Sequence, residues 1–178
     1  MGKANEDVSS TVSKEDLDEV RVMADFDDNV KLIIPSKKDR PEDCPDDLVC
    51  FYMYPFMIGF TIEFSPLTKA FLDRYQLSPG QMMQNFWRIC MQLESVTAGW
   101  DEWVEPEDLL VHYSFKVSVA KRYTLSLRKG AKKLVLDHNA KDKGWNKKFF
   151  FVRKSTLGDL ENSFKSGWNW SGNSSFVM

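Results

Sequence analysis

Between Ser78 and Gly99 the apolar positions recur at three- and four-residue steps: Met82, Phe86, Ile89, Cys90, Leu93 and Val96. That spacing puts them on one stripe of a helix of about six turns. Ser78 suits its N-cap, Pro79 its first position and Gln81 the third, completing a capping-box pattern, and Gly99 is the stop signal. Ser65-Pro66 opens a second helix by the same logic, with a stripe of Leu67, Ala70, Phe71 and Tyr75 that ends near Gln76. The two predict a helix-turn-helix unit. After Gly99 the pattern divides: Leu109, Leu110, Tyr113 and Val117 fit a helix, whereas Val111, Tyr113, Phe115, Val117 and Val119 alternate as a strand does. The acids around Pro106 favour the positive end of a helix dipole, so a third helix is expected from Pro106 to Phe115.

The period then shortens to two. Tyr123 to Arg128 alternates, Lys129-Gly130 can turn the chain, Lys133 to Asp137 returns, and Lys147 to Arg153 supplies a third strand. Short loops between them predict an antiparallel three-stranded meander. Val49 to Phe64 fits neither period and is expected as an irregular apolar segment or a short hairpin against the core. The fold class is therefore α+β: two to three helices, then a small antiparallel β-meander.

Charge changes the picture at the ends. Residues 1–47 carry 14 acids and 7 bases, a net of −7, whereas residues 116–154 carry 13 bases and 2 acids, a net of +11. The first 46 residues, acidic and poor in aromatics, read as a disordered arm in which Ser13 to Met23 and Val30 to Ile34 could order on contact. Residues 47–154 read as a single α+β domain and 155–178 as a partly ordered Ser/Gly/Asn/Trp tail. Three unpaired cysteines, Cys44, Cys50 and Cys90, and a polar opening segment point to a reduced intracellular setting, with the nucleus preferred. The run from Leu48 to Phe64 is interrupted by Pro55, Gly59 and Glu63 and is too short to cross a bilayer, so no membrane partner is expected.

No catalytic constellation emerges. His112 and His138 lack a partner pattern, the cysteines lack zinc spacing, and neither GxxxxGK[ST] nor GxGxxG occurs. No catalytic residue, metal or cofactor is expected, and the chain reads as non-enzymatic. The basic segment carries the functional pull. Arg128, Lys129, Lys132, Lys133, Lys147, Lys148, Arg153 and Lys154 are candidates for tracking a nucleic-acid backbone, DNA or RNA. In KKFFFVRK, Phe149 and Phe151 share one face and are candidates for stacking bases. The same pattern has a plainer reading: lysines keep turns soluble and strand edges unpaired, and a strand apolar on both faces is covered twice.

Several phrases carry a resemblance. Gly59-Phe60 to Pro66, Ser78 to Trp87, Tyr113 to Val117, Tyr123 to Gly130 and Gly144 to Val152 follow, in order and approximate spacing, the landmarks of a family of plant gypsy-type transposon proteins. The resemblance covers about Leu48 to Arg153, and none of its landmarks is catalytic. It implies a retroelement-derived, Gag-like or nucleoprotein-like domain, set in its relatives before a long coiled coil that this chain lacks after Ser155. Nucleic acid is thus the first expected partner. The alternative is a protein-interaction module using Trp100, Trp103, Trp168 and Trp170, and a metal-dependent nuclease comes third.

Overall fold

The strand that orders the larger sheet is β5, Phe149–Arg153, because it is apolar on both faces and paired along both edges. In the computed structural model, which describes residues 9–99, 104–118, 121–134 and 143–168, β5 is the middle of a three-stranded antiparallel sheet. Its neighbours are β1, Leu32–Ile33, and β2, Leu48–Tyr52. The register pairs Cys50 with Phe151, Phe51 with Phe150 and Tyr52 with Phe149. Phe150 and Val152, with Val49 and Phe51, face the main core. Phe149 and Phe151, with Leu48, Cys50 and Tyr52, face a second apolar layer closed by Cys44. A strand covered on both sides has no reason to alternate, which is why Val49 to Phe64 fitted no period. It is neither a hairpin nor wholly irregular: β2 leads into the short helix α2, Tyr54–Met57.

The disordered arm is the clearest correction. From Ser9 onward these residues are folded, while residues 1–8 lie outside the described ones. Helix α1, Lys14–Met23, has a capping box between Ser13 and Asp16 and buries Leu17 and Val20. Phe26 meets Phe56 and Phe150 edge-on, at 5.9 and 6.4 Å between ring centres. Composition described the arm's exposed face and missed the few apolar residues that fill a groove the rest of the chain leaves open. The expected tail also packs in part: Leu157, Phe164 and Trp168 are buried, and residues beyond 168 are outside the described set.

The helix-turn-helix pair is present as α3, Pro66–Arg74, and α4, Gln84–Thr97. The expected start at Ser78 is corrected. Ser78 and Gln81 do pair as a capping box, Ser78 N donating to Gln81 Oε1 at 3.2 Å, but they close a single 3-10 turn. Met82 and Met83 then extend to dock on β4, Tyr123–Leu127, with Met83 N donating to Tyr123 O at 2.8 Å. A backbone committed to that contact cannot be helical, so the helix starts only at Gln84. Phe86, Ile89, Cys90 and Leu93 are buried as the stripe required, but Val96 is exposed.

The third helix is shorter than expected. Helix α5, Pro106–His112, gives way at Tyr113 to β3, Tyr113–Val117, so both periods in that stretch are real and consecutive. The three-stranded meander does not form. Strand β4 pairs with β3 as a separate two-stranded sheet, and β5 lies in the other sheet. Of the expected return strand, Lys133 and Leu134 are without regular structure and 135–137 lie outside the described residues. Phe115 and Tyr123 stack across the β3–β4 hairpin at 4.8 Å, and Phe115 packs on Phe71 and Tyr75 of the α3 segment.

Gly80 explains how the second layer of the sheet stays tight. A Cβ there would sit 3.2 Å from both Cys50 Cβ and Cys50 O, against a strand that cannot yield. Gly80→Ala is therefore expected to destabilise by about 1–3 kcal/mol. Phe26→Ala, in the segment that composition marks as dispensable, is expected to cost about 3–5 kcal/mol. Urea denaturation measures both. A loss below about 1 kcal/mol for Phe26→Ala would return the arm to the surface.

Candidate functional site

The fold divides the predicted basic cluster between two sheets. Arg128, Lys129, Lys132 and Lys133 belong to the stretch that leaves β4 and folds over the junction of α5 and β3. Arg128 is structural there: its Nε donates to Leu110 O at 2.9 Å and to Tyr113 O at 3.2 Å. Gly130, with φ of 80°, makes the turn, and the Lys132 carbonyl lies 3.0 Å from His112 Nδ1. Lys129, Lys132 and Lys133 are exposed. The other four candidates flank β5, with Lys147 and Lys148 at its start and Arg153 and Lys154 at its end, about 17 Å apart along an extended strand. Lys148 Nζ pairs with Asp16 Oδ2 at 2.6 Å and Arg153 Nη1 with Asp47 Oδ2 at 2.5 Å. Burial works to raise the Asp16 carboxyl, but hydrogen bonds from Lys148 and Ser13 hold it below the usual range.

The stacking candidates are corrected outright. Phe149 and Phe151 are 0% and 3% exposed, inside the second layer of the sheet, and neither can receive a base. The plainer reading of KKFFFVRK was the physical one.

A group that sequence reasoning left unassigned stands beside Lys147. Gly144, with φ of 100°, starts a 3-10 turn over Trp145–Lys147, and the turn holds the Trp145 ring 4.6 Å from Tyr52, edge to face. The guanidinium of Arg122 lies 5.8, 5.9 and 5.7 Å from the ring centres of Tyr52, Trp145 and Trp168, and its Nε donates to the Tyr52 hydroxyl at 3.1 Å. Such a cation among rings, partly desolvated, ties three remote segments together. Beside Trp145 opens a cleft of about 450 Å³ whose apolar lining is Met23, Met53, Tyr54 and Met57. Asp16 and Glu19 of α1 form one wall, and Lys143, Lys147 and Lys148 the other. Bonds to its backbone carbonyls fix this second wall: Thr11 N donates to Lys147 O at 2.8 Å and the Ser10 hydroxyl to Phe149 O at 2.5 Å. The available sequence signal was a tryptophan between lysines after a turn glycine.

A second cleft, of about 410 Å³, is lined by the carboxylates of Asp25, Asp27, Glu63 and Asp159 around Phe26, Ile62 and Leu157. Among the described residues no group of three or more His, Cys, Asp or Glu is placed to hold a metal ion, and no helix is long and apolar enough to cross a membrane. Of the interaction-module tryptophans, Trp168 is buried against Arg122, and Trp100, Trp103 and Trp170 lie outside the described residues, as does His138.

Burial governs the remaining reactive groups. It pushes the Cys44 thiol up to about 12 and the Cys50 and Cys90 thiols upward as well, which leaves all three protonated and poorly nucleophilic. Glu94 on α4 accepts hydrogen bonds from the hydroxyls of Ser65 and Thr68 at the start of α3. Burial outweighs those bonds and pushes its carboxyl up to about 7.

Comparisons with known proteins return no match: no protein-family model, curated protein or solved structure is similar to the chain.

The Glu94 arrangement sets a pH dependence. Its pKa is higher folded than the ordinary 4.5, so between about 4.5 and 7 the folded chain holds a proton that the unfolded chain has released. The stability from this group is complete at the acid end of that window and falls as pH rises through it. Denaturation midpoints from pH 4.5 to 7.5 should show the decline, and Glu94→Gln should flatten it. An unchanged slope in the variant would remove Glu94 as the cause.

Proposed function

We propose that the chain is a non-enzymatic, retroelement-derived protein, Gag-like or nucleoprotein-like, that contacts nucleic acid weakly through phosphate alone. The resemblance to plant gypsy-type transposon proteins supplies the setting, intracellular with the nucleus preferred over the cytoplasm. The observation that carries the contact is the exposure of Lys129, Lys132 and Lys133 on one loop, within a segment of net +11. Lysines on a loop reach phosphates without needing a groove fit. With Phe149 and Phe151 in the core, no aromatic side chain among the described residues of this loop stacks on bases. The reading therefore expects no marked preference between single and double strands and little dependence on sequence.

Engaging about three phosphates gives a slope of log affinity against log salt near −2.7 on duplex DNA. Fluorescence anisotropy with a labelled duplex and a labelled oligo-dT, at stepped salt, measures this. The triple change Lys129→Glu, Lys132→Glu, Lys133→Glu should abolish binding to both while leaving the melting temperature close to that of the unaltered chain. Absence of binding at low salt, or unchanged binding by the triple variant, would sink the reading.

A further inference from the structure

We propose that the cleft between α1 and the Trp145 turn docks a short segment of a partner protein that presents a bulky apolar side chain flanked by Asp or Glu. The site is separate from the loop of Lys129, Lys132 and Lys133, so it stands or falls independently of nucleic-acid contact.

The floor of the cleft calls for an apolar group. Met57 is 56% exposed, although it lies beside the half-buried Met23 and the buried Met53 and Tyr54. Thioethers in a concave surface adapt to side chains of different shape, and methionine is favoured where one surface must accept a peptide. The volume of about 450 Å³ lies in the range of sites that enclose one or two large side chains.

The charges on the rim choose the flanks. On the α1 side Asp16 is already matched by Lys148. On the turn side Lys143 and Lys147 are exposed and take part in no ion pair among the described residues. An incoming carboxylate can satisfy these two lysines without displacing an existing bond. Glu19, on the opposite wall, discourages an acidic group there and so fixes which way the segment lies. The same Glu19 carboxylate disfavours a polyanion that would have to run past it.

The wall is also built before anything binds. Trp145 is gripped by Tyr52 and Arg122, and the carbonyl of Lys147 is bonded by Thr11. Little ordering is left for the encounter, which favours affinity from a small contact.

A random dodecapeptide library displayed on phage, selected against the full chain, tests the proposal. Enriched peptides should carry a Leu, Ile, Phe, Tyr or Trp with Asp or Glu on one side of it. Synthesised and labelled, they should bind Met57→Asp and Lys147→Glu at least tenfold more weakly. Both residues are exposed, and equal melting temperatures would show that the variants fold. The ε-methyl signals of Met23, Met53 and Met57 should shift on peptide addition. Failure to enrich such peptides, or equal binding by both variants, overturns the proposal. Oligo-dT is the control ligand: if it shifts those methyl signals while no peptide does, the cleft is a nucleic-acid site and the proposal is wrong.

Discussion

Two faces of one strand must be kept dry at once, and the rest of the structure answers to that requirement. Strand β5 places Phe150 and Val152 on one side and Phe149 and Phe151 on the other. The first pair is covered by the main core, to which α1, the Phe26 segment, α2 and the Phe164 tail all contribute. The second shares its layer with Leu48, Cys50 and Tyr52 of β2 and is closed by Cys44, with the Gly80 turn pressed on Cys50. Neither layer can be assembled from neighbours in sequence. An apparently charged arm, an irregular turn and a distant tail are recruited because apolar area left wet on either face would outweigh the entropy of ordering them.

The helical half was legible in the sequence because its signals are local. The Ser65-Pro66 start, the stripe from Phe86 to Leu93 and the acids after Glu105 all act within a few residues of where they stand. What was not legible depended on distance. The capping box at Ser78 formed, but β4 decided what followed it, because Met82 and Met83 were needed as partners. The meander was inferred from adjacency in sequence, whereas β5 pairs with strands around a hundred residues earlier. The arm's order rests on Val12, Leu17, Val20, Ala24, Phe26 and Val30, too few to move its composition but each buried in the main core.

The same distinction applies to the candidate sites. Lysine density was visible, and the exposed loop after β4 keeps it. Whether the aromatics beside those lysines faced water was a tertiary matter, and Phe149 and Phe151 do not. Trp145 is the reverse case: a tryptophan in a turn, unremarkable in the chain, acquires a role because Arg122 and Tyr52 come to it from elsewhere.

The position of β5 near the end of the chain has a consequence for how the molecule is made. During synthesis β1 and β2 emerge long before their shared partner, so neither can complete its hydrogen bonds until residue 153 has left the ribosome. Through most of translation the five residues of β2 and the aromatics that follow are an unclosed apolar stretch, open to chaperones or to a neighbouring nascent chain. A message cut short before Phe149 would yield helices and the β3–β4 hairpin without the three-stranded sheet, a product for quality control to remove rather than a smaller version of the protein.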